Sequence, residues 1–233
     1  MRILAIETAT LEVGVAIGDE SGPLATVTVR PGRRQAETLH PAIADACRIA
    51  GVALTGLDAI AVDIGPGLFT GLRVGVAAAK ALAGALGLPL VTATSLEILS
   101  AACPAGFGSA VPVIDMRRNE LAWLMPGSAP EVFRVGSPAE LTEDLAKLSG
   151  PVLVAGDGAM RHRQSLQAAL AFRAVFAGPE LAAPPVASLV VLAIAAMDAG
   201  RSFDPAEVRP LYGREADARI NWSSREGREM VGK

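Results

Sequence analysis

One succession of elements occurs twice along this chain, and it restricts the available folds more than any other feature. "RILAIETA" is a continuous apolar run ending in a polar turn, the pattern of a buried strand. "EVGVAIGDE" alternates, "DESG" reads as a hairpin turn and "PLATVTVR" as a third strand, so the start is an antiparallel meander. After the loop "PGRRQ" comes a helix over about 36–50, with Leu39, Ile43, Ala46 and Cys47 on one face, Pro41 in its first turn or at a kink, and Gly51 as its stop. "LDAIAVDIG" is a strand, a glycine-rich loop leads into a helix over about 70–86, "PLVTATS" is a strand, and a short helix starts at Ser95. "CPAGFGS" then reads as a linker. Beyond it, "AVPVIDMRRNELAWLMPG" and "EVFRVG" supply three more strands, and "SPAELTEDLAKLSG" a helix with Ser137 and Glu140 as a capping box. "PVLVAGDGA" is a strand, followed by a helix over about 161–171, the strand "RAVFAG" and a helix over 187–199. The expected fold is α/β: two successive β-β-β-α-β-α-β-α units, 1–104 and 105–200, and a tail, 201–233, that Tyr212 and Trp222 dock onto the body.

Composition narrows the function classes. Hydrophobic residues make up 51% and aromatics 4%, so the core must be aliphatic and rich in alanine. The net charge of −3 argues against nucleic-acid binding by electrostatics alone, and the pairs Arg33–Arg34, Arg117–Arg118 and Arg161–Arg163 are small and lack interleaved aromatics. Cys47 and Cys103 make neither a disulfide framework nor a metal site. The start, "MRILAIETAT", meets Glu7 after a short apolar run, so it is no signal peptide. The run "SLVVLAIAAM" falls well short of the roughly 20 residues that span a bilayer. A soluble, cytoplasmic protein without membrane contact is expected.

The stretch "DIGPGLFTGLRVGVAAAK" crowds Gly65, Gly67, Gly71 and Gly75 ahead of and into a helix. Glycines at a helix mouth allow an anion close to the backbone, and the helix dipole favours it. The spacing fits neither common phosphate-binding motif, and Lys80 lies too deep in the helix for a phosphate-loop lysine. Arg73 and Lys80 share a polar side, whereas Gly71, Gly75 and Ala79 recur at about four-residue spacing, which allows another helix to approach closely. Gly75→Leu is therefore expected to weaken partner binding, or to overpack the interior if Gly75 faces inward.

The doubled unit resembles the actin-like ATPase superfold, which includes sugar and acetate kinases. In that superfold a carboxylate ending the first strand, followed by small hydroxyl residues, meets metal and phosphate. The matching residues are Glu7, Thr8 and Thr10, and with Gly65 and Gly67 they form the candidate for a weak nucleotide or anion site. Glu7 stands where the superfold usually has Asp, and no glycine follows before Gly14, a poor start for a Mg²⁺ site. Other chemistry finds little support. His40 and His162 are the only histidines and lie far apart, so no zinc site is expected. Ser95 and Ser188 read as N-caps, and no serine-nucleophile elbow is present. The alternatives weighed are an actin-like ATPase or small-molecule kinase and, with no ligands to support it, a metallopeptidase.

"ILAIETAT", "AETLHPAI", "DAIAVDIGPGLFTGLRVGVAAAKALA", "GLPLVTATSLEIL", "PVIDMRRNELAW" and "RPLYGREADA", in this order and spacing, resemble the TsaB (YeaZ) family over nearly the whole chain. That resemblance implies a subunit of the bacterial machinery that makes threonylcarbamoyladenosine in tRNA. It implies pairing with TsaD, a catalytic paralogue of the same fold, through the two helices over 36–50 and 70–86. Leu39, Ile43, Gly71, Leu72, Gly75 and Ala79 are the expected partner-interface residues. The ATPase TsaE is expected to join, tRNA to arrive only through the complex, and the chain to form a homodimer when alone. TsaD carries a metal-binding histidine pair in a segment like H-L-E-G-H, where this chain has Ser95 and Leu99, neither of which can replace imidazole on a metal. No catalytic residue, metal or cofactor of its own is expected here, with ATP and metal held by the partner subunits.

Overall fold

The computed structural model describes residues 1–32, 34–104 and 106–213. The first half runs β1 (Ile3–Glu7), β2 (Val13–Asp19), β3 (Gly22–Val29), α1 (Gln35–Ala50), β4 (Ala59–Asp63), α2 (Phe69–Leu86), β5 (Leu90–Ala93) and α3 (Ser95–Ala102). The second runs β6 (Ala110–Asp115), β7 (Leu121–Trp123), β8 (Arg134–Gly136), α4 (Pro138–Ala146), β9 (Val152–Ala155), α5 (Asp157–Arg161), α6 (Arg163–Leu170), β10 (Ala174–Phe176) and α7 (Val186–Asp198). The first sheet has the order β3-β2-β1-β4-β5, with β1–β2 and β2–β3 antiparallel and β1–β4 and β4–β5 parallel. The second repeats this as β8-β7-β6-β9-β10, with the same strand senses. The doubled unit expected from the sequence, the duplicated actin-like fold, is what forms.

β1 and β4 are buried along their whole length because both faces of the first sheet are covered, which explains their uninterrupted apolar sequences. On one face, Leu4, Ile6, Val15, Ile60 and Val62 meet Leu39, Ile43 and Ala46 of α1 and Val76, Ala79 and Ala83 of α2. On the other, Ile3, Ala5, Ala16, Ala59, Ala61 and Val91 meet Leu189, Val190, Ala193 and Ala196 of α7. Alanines on that strand face bring the helix close, and a side chain at Gly18 would overlap Val190. The final helix of the second half thus covers the sheet of the first. Reciprocally, Leu96 and Leu99 of α3 pack against Ile114, Ala122 and Ala155 of the second sheet.

Three local expectations change. Thr94, not Ser95, caps α3: its hydroxyl accepts from Glu97 N at 3.0 Å, and Glu97 Oε2 accepts from Thr94 N at 3.4 Å. Ser188 lies inside α7, whose N-cap is Pro185. The helix expected over 161–171 forms as α6 over Arg163–Leu170, and a short helix not foreseen, α5, precedes it, the two separated at His162, whose backbone (φ −104°, ψ 16°) is not helical. After α7 the chain returns to the first half. Phe203 pairs with Leu90 in antiparallel fashion, and Val208 is buried in the core under α1 and α2. Tyr212 docks as expected; Trp222 lies outside the described residues.

Candidate functional site

β1 and β4 are parallel neighbours, so their C-terminal ends set two carboxylates side by side, Glu7 and Asp63, both buried. Asp63 accepts from Ser95 Oγ, 2.8 Å from each carboxylate oxygen, and from Gly65 N at 2.7 Å. Glu7 Oε1 accepts from Ala9 N at 2.6 Å. Burial pushes Asp63 up to about 7 against these hydrogen bonds, which pull the other way. Burial, and then the Asp63 charge, hold Glu7 well above the ordinary glutamate range. Ser95, at the first position of α3, therefore has a structural role, as the hydroxyl that satisfies a buried carboxylate.

Glu7 also lines a cleft between the halves. One hollow of about 290 Å³ lies between Glu7, Glu12, Thr28 and Arg30 of the first half and Glu180 and Val186 of the second. Another, of about 200 Å³, is lined by Thr10, Leu11, Arg30, Asp157 and Ala183. Arg30 pairs with Glu12 at 2.5 Å, and burial raises Asp157 to about 6. The ionisable groups of the cleft are thus mostly carboxylates, set among prolines, alanines and threonines.

The five residues expected to hold an anion are not brought together. Glu7 and Thr10 reach the cleft, but Thr8 is fully buried and its hydroxyl donates to Gly71 O at 2.8 Å. Gly65 (φ +103°) lies under Leu211, whose carbonyl would be 2.7 Å from a Cβ there. A Cβ at Gly67 would overlap Ala9, and the loop is tied down by Leu68 N to Ala9 O at 2.7 Å and Leu211 N to Ile64 O at 2.6 Å. Its glycines serve close contact with the fold's own backbone, and the loop presents no open cradle.

The interface residues need the same correction. Leu39, Ile43, Gly71, Leu72, Gly75 and Ala79 are all buried within the first half. Cβ atoms at Gly71 and Gly75 would overlap the Thr8 carbonyl and hydroxyl, so these glycines seat the β1–β2 loop on α2. The outward side of α2 carries other small residues: Ala77, Ala81, Gly84 and Ala85 are exposed, and Val74 and Ala78 half-buried. The charges of α2, Arg73 and Lys80, hold the returning chain, and Arg73 stays exposed as it does so. Arg73 Nε donates to Tyr212 Oη at 3.1 Å and its guanidinium lies 3.7 Å over the Phe69 ring, while Lys80 Nζ donates to Val208 O at 2.9 Å. By length and composition α2 would also pass for a membrane span, but Leu72, Val76, Ala79 and Ala83 seat it in the first half's core.

Among the described residues, no group of three or more His, Cys, Asp or Glu side chains could hold a metal. Ser95 and Leu99 are fully buried, Leu99 in the core beneath the second sheet. His40 is exposed on α1, and His162 separates α5 from α6. Sequence reasoning misses Asp63 and Asp157. The signal is present: each ends or closely follows a parallel strand beside the first strand of its half, in "AIAVD" and "VLVAGD".

Fold and site define an actin-like protein whose first-half glycine loop is packed shut and whose cleft is lined by carboxylates. A family model for TsaD, tRNA N6-adenosine threonylcarbamoyltransferase, matches residues 29–137. The Escherichia coli tRNA threonylcarbamoyladenosine biosynthesis protein TsaB is 30% identical over 169 residues, 68% of this chain and 72% of the relative. The Bacillus subtilis protein of the same name is 28% identical over 231 residues, 95% of this chain and 98% of the relative. Among solved structures, YeaZ from Pseudomonas aeruginosa superposes with a TM-score of 0.73 at 27% identity, covering 91% of this chain and 99% of that one. The chain belongs to the TsaB family.

Proposed function

We propose that this chain is a non-catalytic subunit in tRNA threonylcarbamoyladenosine biosynthesis, working beside a TsaD-like paralogue that carries out the transfer. The group would pass from threonylcarbamoyl-adenylate to N6 of the adenosine 3′ of the anticodon in ANN-decoding tRNAs. The partner would supply the metal, and a TsaE-like ATPase the ATP chemistry. One observation carries the reading: α2 exposes Ala77, Ala81, Gly84 and Ala85, a face of small side chains opposite the side that packs into the core. Such a face suits close helix–helix packing with a second copy of the same fold, either the paralogue or, when alone, another molecule of this chain. Ser95 and Leu99, buried where the resemblance puts metal-binding histidines, support a partner that holds the chemistry.

The test is reconstitution with and without this chain, using the double variant Ala77→Glu, Ala81→Glu. Both residues are exposed, so stability should change by no more than about 0.5 kcal/mol per site, while co-purification with the partner and tRNA modification are lost together. Undiminished modification by the partner alone would overturn the proposed function. Intact binding by the double variant would overturn the assignment of the face.

A further inference from the structure

One arginine from each of the two pairs of the second half, separate in sequence, meets the same carboxylate. Arg117 Nη1 lies 3.0 Å and Arg161 Nη1 2.8 Å from Asp115 Oδ2. Asp115 is buried, while the two arginine side chains are 39% and 54% exposed, so the carboxylate lies beneath and the guanidiniums above it. A second carboxylate, Asp157, accepts from Asp115 N at 2.8 Å and interacts with the Arg117 charge, while each guanidinium retains further N–H donors. The turn between β6 and β7 holds Arg117, Arg118 and Asn119 in left-handed conformations, φ 65°, 52° and 63°, with Arg117 N donating to Asp115 Oδ1 at 2.9 Å. On the other side, Arg163 is exposed and its guanidinium lies 4.7 Å from the centre of the Phe176 ring. A shallow hollow of about 350 Å³ is lined by Arg161, His162, Gln164, Ser165 and Ala168, with no carboxylate in its lining among the described residues.

We infer that this ridge, built on Arg117, Arg161 and Arg163, is a contact surface for the phosphodiester backbone of RNA. Arginines already oriented by Asp115 and Phe176 lose less freedom on binding, and the planar guanidinium fits phosphate oxygens in pairs. The surface is an open ridge contributed by the β6–β7 turn, the end of α5 and the start of α6, suited to successive phosphates along a strand rather than to a single enclosed anion. It lies on the second half, leaving the α1–α2 face of the first free for the paralogue. The inference rests on the proposed function, which brings tRNA to the complex, and adds that this chain touches the tRNA directly.

The experiment uses the full chain in complex with its TsaD-like partner and fluorescent substrate tRNA, with affinity followed from about 50 to 200 mM salt. The double variant Arg161→Gln, Arg163→Gln should assemble normally and bind tRNA several-fold more weakly, its log–log salt slope shallower by about 1–2. The charge-retaining Arg161→Lys, Arg163→Lys should keep the slope. An unchanged slope in the neutral variant overturns the inference, as does loss of partner assembly, which would make the ridge a protein interface. A second measurement needs no variant: phenylglyoxal labelling of the wild-type complex, read by mass spectrometry. Protection of Arg161 and Arg163 by tRNA supports the inference. No protection, or equal protection by inorganic phosphate at the same phosphate concentration, overturns it. Failure of the proposed function would show differently, as tRNA modification that does not need this chain.

Discussion

Asp63 makes the stability of this chain depend on pH. Its folded pKa of about 7 lies above the ordinary 3.8, so the folded state binds a proton that the unfolded state has released over that range. The contribution is fully present below about pH 4 and is lost as pH rises through about 7. Glu7, raised for the same reason of burial, acts in the same direction. Asp63→Asn keeps an acceptor for Gly65 N and removes the charge. Its urea midpoint should therefore fall less than that of the wild type between about pH 5 and 8, and should lie above it at the alkaline end. Parallel midpoint-against-pH curves for the two proteins would show that Asp63 is not the titrating group. The residue was visible in the sequence but its state was not, because its burial is complete only after β1, β4 and α3 have assembled.

Within single elements, much was legible and one kind of fact was not. Uninterrupted apolar runs marked β1 and β4, and Gly51 and Gly87 marked helix ends, where both adopt left-handed backbone at φ 67°. These signals are local. Which partner a helix face meets is not local: small residues at four-residue spacing serve an outside helix or an inside loop equally well, and on α2 the Gly71–Gly75 stripe meets Thr8. Likewise Arg73 and Lys80 looked like a solvated side because their partners, Tyr212 and Val208, come much later in the chain. Glycines of α2 thus divide by what surrounds them. Gly75→Ala should destabilise by about 1–3 kcal/mol through overlap with the Thr8 hydroxyl. Gly84→Ala, exposed with nothing close to its Cβ position, should stabilise by about 0.5–1 kcal/mol through the lower backbone entropy of alanine. Denaturant midpoints that move both in the same direction would contradict these environments.

The whole molecule unfolds as its packing dictates, and the repeat boundary near residue 104 is no seam. α7 belongs to the second half by sequence and to the first by contact, and α3 packs on both, with Ile98 in the first-half core and Leu96 and Leu99 against the second sheet. Fragment 1–104, although a complete topological unit, leaves one face of its sheet bare and should fail to show a cooperative transition, whereas the full chain should melt once. Leu189→Ala, which removes fully buried bulk from α7, should lower stability by about 2–5 kcal/mol and shift fluorescence and circular-dichroism transitions together. A fragment 1–104 that melts sharply, or a Leu189→Ala protein with two separate transitions, would contradict this coupling. The doubling was readable because each repeat writes its own periodicity, whereas the exchange of helices was not, since an apolar helix such as "SLVVLAIAAM" carries no address.

That exchange also governs how the protein is made. Translation at about 5–20 residues per second places roughly a hundred residues, and thus some 5–20 seconds, between the end of α3 and the end of α7. Throughout that interval the alanine-lined back of the first sheet has emerged from the ribosome with no helix to cover it. A nascent chain of this protein should be a client of holding chaperones until its last helix arrives, however stable the finished molecule is.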